Sequence, residues 1–435
     1  MKSFKEITPP QAQKRSFFHQ KFQDRRSDPY YWLKEKDSPE VLNYLKAENT
    51  YARGFFNHIQ PLQKELFQEM KSHIPGSYDT DPVKKGSYFY YVSWIQDKEH
   101  PIYKRTKELN TTSKEEVLLD INQLAASRSY CDVHSLWASP NDDILAYALD
   151  EEGREFYTIY FKDLKTGQEL PHAISKVTSD FVWANDNQTV FYVKQNPETL
   201  RSFQVFRFNI LTGANDLVWT ENDSRFSVYL NKSVSTKHIF IISSSSDTSE
   251  WRFLSADKPL GNWTLFCKRE EKHEYFLDCG KDCFYILTNR DGAFNFKLMK
   301  AGLSDHDPSS WKEIVPHSEK AFIIGLSVFE KFVAVTIRQK AIRDIFILDR
   351  KTEDLHKVSF PESVYCCRTE GNLEYQTDSV KVAFSSPIHS ITIYDYYVQT
   401  RKLVFSWQKP VGGEFSAENY ICERVFASAK DGAQI

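Results

Sequence analysis

The chain has 435 residues, 41% of them hydrophobic and 15% aromatic, which is enough apolar material to bury a substantial core. The formal net charge of −3 argues against a nucleic-acid-binding protein, because such a protein needs a basic patch. The first twenty residues lack the apolar segment of a secretory signal, and the longest nearly apolar run, residues 321–329, is too short to span a membrane. We therefore expect a soluble, cytoplasmic protein with no membrane and no nucleic acid among its partners.

Two helices are predicted near the N-terminus, in and after the segment DPYYWLKEKDSPEVLNYLKAENTYA, which begins at Asp28. Ser38 is a suitable N-cap, Pro39 suits the first helical position, and Glu40 favours the positive helix end. The apolar residues that follow form a wide stripe, so we expect this helix to be buried on more than one side. A second helix is predicted to begin near Pro61, with these apolar residues on one face: Leu62, Leu66, Phe67, Met70 and Ile74.

Most of the remaining sequence repeats a pattern of short strands separated by polar turns. The central turns of the copies lie near Gly86, Asp142, Asp186, Thr236, Lys281, Lys331 and Asp378. The five steps from Asp142 to Asp378 average about 47 residues, a length that accommodates four short strands. We therefore predict an all-β fold, a seven-bladed β-propeller over residues 76–410, preceded by a short N-terminal helical segment over residues 1–75.

The C-terminal stretch, residues 411–435, has a different pattern. It begins with a Gly-Gly linker, and residues 423–429 then alternate as in a strand. Asp431-Gly432 is a strong signal for a two-residue hairpin turn. Three residues follow this turn, so we expect an incomplete hairpin with an open strand edge.

The sequence contains none of the common catalytic motifs. No G-x-S-x-G elbow occurs, and the nearest stretch, residues 325–329, lacks the final glycine. No H-E-x-x-H, P-loop or Rossmann glycine cluster occurs either, so we predict no catalytic residue and no cofactor. By residue type, the adjacent pairs Asp142-Asp143 and Glu151-Glu152 are candidates for general acid/base catalysis. Because neighbouring side chains point apart, the alternative that these carboxylates are solvent-exposed turn residues is favoured.

Seven cysteines at irregular spacings do not suggest a disulfide framework. Cys279, Cys283 and the nearby His273 could form half of a metal site, but no second pair stands at ligand spacing, so we predict no metal. The adjacent Cys366 and Cys367 should point to opposite faces of a strand.

Several phrases of the sequence resemble oligopeptidase B, in the prolyl oligopeptidase family of serine peptidases. They are the segment from Asp28, EVLLDINQLA from Glu116, YTIYFKDLKTGQELP from Tyr157, TNRDGAFNFKL from Thr288 and VGGEFSAENYICERVFASAKDG from Val411. The order of these phrases along the chain is more specific than any one of them.

The resemblance implies the non-catalytic part of a peptidase that cleaves short peptides after Arg or Lys. In that family the propeller caps the active site and admits only short or unstructured peptides, and an α/β-hydrolase domain carries the catalytic residues. That domain is absent from this sequence, so residues 411–435 would be a linker and the truncated start of it, and the chain would be inactive alone. The implied partner is this hydrolase domain, and short basic peptides are the substrates of the complete enzyme. By the same likeness Glu155, in the loop DEEGREFYTI, would face the hydrolase domain through an ion pair; a rim glutamate in water is the alternative.

Two other functions are open at this point. A free-standing propeller could act as a protein-interaction scaffold, for which a finished C-terminal element is expected. A propeller glycosidase would bind a sugar on the propeller axis, and a thermal-shift screen with oligosaccharides would detect such binding.

Overall fold

The structure, a computed structural model, describes residues 8–109 and 114–434. The chain divides into two units. The N-terminal unit comprises the described residues up to Ile74 together with Gly412–Phe415, and the second unit comprises the described residues of Pro75–Val411 and those from Ser416 onward. Within the described residues, no helix is long and apolar enough to cross a membrane.

The N-terminal unit begins with a β-hairpin that was not predicted from the sequence. Strands β1 (Phe18–Lys21) and β2 (Asp24–Ser27) pair antiparallel. The two turn residues, Phe22 and Gln23, have φ values of 51° and 71°, as a tight hairpin turn requires. After the hairpin come a 3-10 helix (Tyr31–Lys34), α1 (Pro39–Phe56), a 3-10 turn (Asn57–Ile59) and α2 (Gln60–Ser72).

Helix α1 starts where it was predicted but differs in two details. Pro39 lies in the first helical turn, and Glu40 pairs with Arg15. Ser38 occupies the N-cap position, yet its side chain makes no capping hydrogen bond, so the prediction of a capping side chain is wrong. The expected burial on more than one side is also wrong for this chain, because Val41 is the one buried residue of α1.

The second unit contains seven antiparallel sheets, six with four strands and one with five. Blade 1 consists of β3 (Tyr78–Asp79), β4 (Val83–Lys85), β5 (Tyr88–Trp94), β6 (Ile102–Thr106) and β7 (Glu116–Asp120), and the short helix α3 (Ile121–Ala125) follows it. Blade 2 consists of β8 (Asp132–Ala138), β9 (Ile144–Asp150), β10 (Tyr157–Asp163) and β11 (Ile174–Val177). Blade 3 consists of β12 (Phe181–Trp183), β13 (Thr189–Gln195), β14 (Ser202–Asn209) and β15 (Asn215–Thr220).

The remaining blades follow the same order. Blade 4 consists of β16 (Ser227–Lys232), β17 (His238–Ser244), β18 (Ser249–Ser255) and β19 (Thr264–Leu265). Blade 5 consists of β20 (Tyr275–Cys279), β21 (Cys283–Thr288), β22 (Lys297–Gly302) and β23 (Lys312–Val315), with a 3-10 turn at Pro308–Ser310. Blade 6 consists of β24 (Ala321–Val328), β25 (Phe332–Gln339), β26 (Ile342–Asp349) and β27 (Leu355–Lys357). Blade 7 consists of β28 (Cys366–Thr369), β29 (Ser379–Ser386), β30 (His389–Tyr397) and β31 (Lys402–Gln408).

This arrangement confirms the predicted seven-bladed β-propeller. Six of the seven predicted central turns fall between the first and second strands of blades 2 to 7, and the turn at Gly86 falls between β4 and β5 of blade 1. The adjacent Cys366 and Cys367 of β28 are exposed and buried respectively, as the strand alternation predicted.

Antiparallel pairing within every blade gives the propeller two distinct faces. The central turns, such as those at Gly86 and Asp142, lie on one face, which we call the turn face. The loops from the second to the third strand and the crossings between blades lie on the other, the crossover face. The chain enters blade 1 and leaves blade 7 on this crossover face.

The core lies between the blades. Six clusters of buried apolar side chains join each consecutive pair from blades 1 and 2 to blades 6 and 7. Phe161 of blade 2, for example, packs edge-to-face against Trp183 of blade 3 with ring centroids 6.0 Å apart. Blades 1 and 7 meet through polar contacts, including the bond from Trp407 Nε1 to the Asp79 carbonyl at 2.8 Å and the bond from the Gly86 amide to Glu374 at 2.7 Å.

The C-terminal residues form a turn without the predicted strand. Asp431-Gly432 makes the expected reversal, with Gly432 at a φ of 85° and the Ala433 carbonyl accepting from the Ala429 amide at 2.8 Å. The strand predicted over residues 423–429 is absent because no neighbouring strand pairs with it; a single bridge joins Ser428 to Gln434. A 3-10 turn precedes this segment at Ala417–Asn419.

Candidate functional site

A cavity of about 760 Å³ lies at the turn face of the propeller. Six of the seven blades contribute to its wall, with side chains that include Lys85, Trp137, Asp180, Lys232, Lys281 and Glu374. This volume is in the range of sites that bind small molecules. Lys85, Trp137 and Lys232 lie at or near the ends of strands that lead into central turns, and this position brings their side chains to the turn face.

Two lysines of the cavity wall donate hydrogen bonds to the neighbouring blades 2 and 3. Lys85 Nζ, from blade 1, donates to the Ala138 carbonyl of blade 2 at 2.8 Å. Lys232 Nζ, from blade 4, donates to the Trp183 carbonyl and to Asn185 Oδ1 of blade 3, both at 2.8 Å. Burial lowers the pKa of both ammonium groups, and for Lys232, with the charge of Lys85 adding to the effect, the pKa falls to about 8.

The carboxylates of the cavity wall already have protein donors. Asp142 Oδ1 accepts from the Tyr90 hydroxyl at 2.7 Å and lies 3.9 Å from Lys85 Nζ. Asp180 accepts from the Leu230 amide at 2.8 Å, and burial raises the pKa of this carboxyl to about 6. Neither Lys85 nor Lys232 was singled out in the sequence; their position a few residues before a central turn is the signal that could have found them.

The loop that carries Glu155 lies on the crossover face, between β9 and β10. The buried carboxylate of Asp150 accepts from the amides of Glu152, Gly153 and Glu155 at 2.8, 3.0 and 2.8 Å. Gln195 Nε2 donates to the Glu155 carbonyl at 2.7 Å, and Glu155 has a φ of 58°. The backbone of Glu155 is thus fixed by two residues, Asp150 and Gln195, while its side chain is exposed to solvent.

A second charged group on the crossover face is a network of buried ion pairs. Arg269 Nη2 lies 2.5 Å from Glu221 and 3.3 Å from Glu250, and both carboxylates are about 95% buried: 4% and 5% exposed. Arg252 also pairs with Glu250, and its guanidinium lies 3.6 Å from the ring centroid of Trp219. Burial by itself raises the pKa of Glu250, but the hydrogen bonds from Arg252 and Arg269 outweigh it, and the pKa is lowered. The network joins the ends of blades 3, 4 and 5.

The adjacent carboxylates that were candidates for acid/base work have separate partners. Asp142 bonds to Tyr90, whereas Asp143 lies 3.0 Å from Lys165. Glu151 pairs with Arg128 at 2.5 Å. The structure therefore does not bring the members of either pair together around a common point.

The candidate metal ligands also diverge. Cys279 Sγ lies 3.1 Å from His238 Nδ1, and Cys283 Sγ accepts from Arg350 at 3.4 Å. His273 Nε2 contacts Thr288 Oγ1 at 2.9 Å. In the described parts of the chain, no group of three or more His, Cys, Asp and Glu side chains is arranged to hold a metal ion.

The N-terminal unit carries an apolar surface, which we call the α2 surface. It consists of the residues predicted for one face of the second helix, each at least 46% exposed: Leu62, Leu66, Phe67, Met70 and Ile74. A group of exposed apolar side chains of this kind is typical of an interaction surface.

Comparison with known proteins identifies the architecture. Residues 9–408 match the family model described as prolyl oligopeptidase, N-terminal β-propeller domain. The chain belongs to the prolyl oligopeptidase family. The match covers the helical N-terminal unit as well as all seven blades of the prolyl oligopeptidase propeller.

Two kinds of relatives agree with this assignment to the prolyl oligopeptidase family. A dipeptidyl aminopeptidase BI of Pseudoxanthomonas mexicana is 32% identical over 425 residues, which are 94% of this chain and 58% of that protein. Oligopeptidase B of Leishmania major has a TM-score of 0.90 at 28% identity, covering 99% of this chain and 64% of that one. Oligopeptidase B of Trypanosoma brucei, solved with covalently bound antipain, has a TM-score of 0.89 at 26% identity, covering 98% and 64%. The chain thus spans about 60% of the length of the relatives it matches.

Proposed function

We propose that the chain is the propeller part of an oligopeptidase B-like serine peptidase that cleaves short peptides after Arg or Lys. The observation that carries the proposal is the similarity to oligopeptidase B of Leishmania major over 99% of the chain, with a TM-score of 0.90. In this role the propeller limits the size of the peptides that reach the catalytic residues. The chain supplies no catalytic residue itself.

The catalytic serine would come from an α/β-hydrolase domain that docks on the chain. No G-x-S-x-G motif occurs in the 435 residues, and the relatives extend well beyond the matched region. The α2 surface supports this partner, because exposed side chains such as Phe67 and Met70, 58% and 63% exposed, are stabilised when a domain covers them.

Glu155 is proposed as an ion-pair contact to that hydrolase domain. Asp150 and Gln195 fix the backbone of Glu155, so its carboxylate is presented to solvent from an ordered loop on the crossover face. An ordered charge loses little entropy on pairing, which favours its use in an interface.

We also place the protein in the cytoplasm. All seven cysteines are free thiols, and no described pair forms a disulfide, which is the usual condition of proteins in a reducing compartment. Cell fractionation that recovers the protein outside the cytoplasm would contradict this placement.

The test of the proposed function needs the matched hydrolase domain, which is sought in the DNA beyond the last codon of this chain and expressed together with it. We expect the pair to hydrolyse fluorogenic peptides with Arg or Lys before the scissile bond at least about tenfold faster than peptides with Pro there. A long folded protein that contains the same bond should resist. The chain alone should hydrolyse none of them and should not react with a fluorophosphonate.

Three outcomes would overturn the proposal. The first is stoichiometric fluorophosphonate labelling of the chain alone, which would reveal a nucleophile within it. The second is a preference of the pair for Pro or for release of N-terminal dipeptides. The third is equal cleavage of short peptides and folded proteins, which would remove the size-limiting role of the propeller.

A further inference from the structure

One ammonium group in the wall of the cavity at the turn face, that of Lys232, has no carboxylate from the described parts of the chain in direct contact. Lys232 Nζ makes its two hydrogen bonds to neutral oxygens, the Trp183 carbonyl and Asn185 Oδ1. No carboxylate of the described residues lies within 4 Å of it, whereas Lys85 has Asp142 at 3.9 Å. An ammonium group has three donors, so at least one N–H of Lys232 is available to a further acceptor.

The other lysines of the cavity wall have closer partners of opposite charge. Lys237 lies 3.2 Å from Asp257, and Lys281 lies 3.8 Å from Glu330. Lys232 is therefore the one cation of this wall, among the described residues, without a carboxylate within salt-bridge distance. The carboxylates that remain, Asp180 and Glu374, already accept from backbone amides at 2.8 and 2.7 Å.

A charged group that is partly buried without a counter-ion is unfavourable unless a ligand supplies the opposite charge. Lys232 thus presents an ammonium group without an adjacent carboxylate among the described residues, which suits a ligand that brings one carboxylate to this point of the wall. The cavity volume of about 760 Å³ accommodates a few amino-acid residues. Trp137, 45% exposed and part of the same wall, offers an apolar surface beside the charge.

We propose that this cavity binds the C-terminal carboxylate of a short peptide, with Lys232 as the residue that pairs with the carboxylate. The choice of a peptide as the ligand rests on the proposed function of the chain. Lys85, whose ammonium group is bonded to blade 2, adds long-range attraction, and Trp137 contacts the last side chain of the peptide. The site lies on the face of the propeller opposite to Glu155 and to the points where the chain enters and leaves the blades.

The experiment measures binding to the full chain alone, by isothermal titration calorimetry. The probes are N-acetyl-trialanine with a free carboxylate, the same peptide as its C-terminal amide, and inorganic phosphate. We expect the acid to bind with a Kd on the order of 1 mM or tighter and the amide to bind at least about tenfold more weakly. Phosphate should compete poorly, because a second negative charge has no partner in the cavity.

The matched variants are Lys232→Gln and Lys237→Gln, two lysines of the same wall. Lys232→Gln should weaken binding of the acid at least about tenfold and leave binding of the amide unchanged. Lys237→Gln should change neither by more than about threefold, because Asp257 already neutralises it. The comparison of acid and amide needs no variant, so the proposal remains testable if Lys232→Gln fails to fold.

Equal binding of acid and amide, no binding of either at about 10 mM, or displacement of the acid by phosphate at comparable concentration would each overturn the proposal. An effect of Lys237→Gln as large as that of Lys232→Gln would overturn the assignment of Lys232. Because no hydrolase domain takes part, failure here is distinguishable from failure of the proposed peptidase function, which is measured as activity of the pair.

Discussion

Lys381 Nζ lies 2.8 Å from Asp81 Oδ2, and this ion pair joins the seventh blade of the propeller to the first. The two side chains are 18% and 9% exposed, so the pair is largely shielded from water. Ser406 Oγ donates to the other oxygen of Asp81 at 2.6 Å, and Asp395 lies 3.4 Å from the same lysine. Charged and polar contacts thus connect blades 7 and 1, at the seam, which is the interface that none of the six apolar clusters spans.

Removing the cation of this seam should destabilise the propeller. Lys381→Met leaves Asp81 and Asp395 without their partner, and we expect the free energy of unfolding to fall by about 2–4 kcal/mol. Urea denaturation measures this change. The control is Lys331→Met, because Lys331 lies 2.7 Å from Asp378 but both side chains are more than half exposed, so we expect a loss below about 1 kcal/mol. Equal losses of unfolding free energy in the two variants would show that the pair of Lys381 and Asp81 stabilises the propeller no more than an exposed ion pair does.

Asp278 should make stability depend on pH between 5 and 8. Burial raises the pKa of this carboxyl to about 7, although the amides of Val328 and Cys279 donate to it at 2.7 and 2.8 Å. Because the folded pKa lies above the unfolded one, its contribution to stability is fully present below about pH 4 and is lost as the pH rises through 7.

The wild-type chain and Asp278→Ala, compared by urea denaturation, isolate this effect. We expect the free energy of unfolding of the wild type, relative to that of Asp278→Ala, to fall by on the order of 2 kcal/mol from pH 5 to pH 8. Asp349→Ala is the control, because the amides of Thr352 and Lys351 lower the pKa of Asp349, and both its pKa values then lie below this window. If the difference in free energy of unfolding between the wild type and Asp278→Ala does not change with pH, the pKa of Asp278 is not raised.

Neutralising Glu155 should weaken the association with the matched hydrolase domain. We expect Glu155→Gln to raise the Kd of the pair about tenfold at low salt and less at high salt, because screening weakens an ion pair at an interface. Surface plasmon resonance at two ionic strengths measures both. Glu152→Gln, an exposed glutamate of the same loop, should leave the Kd unchanged; an equal effect of both variants would indicate general charge attraction instead.

The α2 surface should bind a hydrophobic dye until the hydrolase domain covers it. We expect the chain alone to enhance the fluorescence of anilinonaphthalene sulfonate, and the matched domain to abolish the enhancement and to raise the melting temperature. Met70→Glu should lower dye binding and the gain in melting temperature together. If the chain does not enhance the fluorescence of the dye and the domain does not raise its melting temperature, a free-standing propeller is the better interpretation.

The repeat made the propeller predictable, because each blade encodes its central turn locally. The turn at Asp142 adopts a φ of 60°, a conformation that aspartate tolerates better than most residues. The hairpin of β1 and β2 escaped prediction because Phe22 and Gln23 occupy a turn for which Asn-Gly is the usual signal.

What the sequence could not provide depends on contacts between distant residues. The seam pair of Asp81 and Lys381 joins two segments at opposite ends of the propeller sequence, and neither residue stands out locally. The exposure of Leu42 and Leu45, 43% and 48%, also could not be read from the apolar stripe of α1, because a stripe shows what can be buried and not what covers it. Lys232 acquires its significance from Trp183 and Asn185 of the neighbouring blade.

The distribution of contacts around the ring has a consequence for how the chain acquires its structure. Six of the blade interfaces join neighbours in sequence, so each blade can dock on the one before it as soon as both have emerged from the ribosome. The interface between blades 7 and 1 can form only after blade 7 has been synthesised, since Ser406 and Asp81 are 325 residues apart. Loop closure over such a distance is slow, and an open arc of seven blades, in which blades 7 and 1 are not yet paired, is therefore the intermediate we expect.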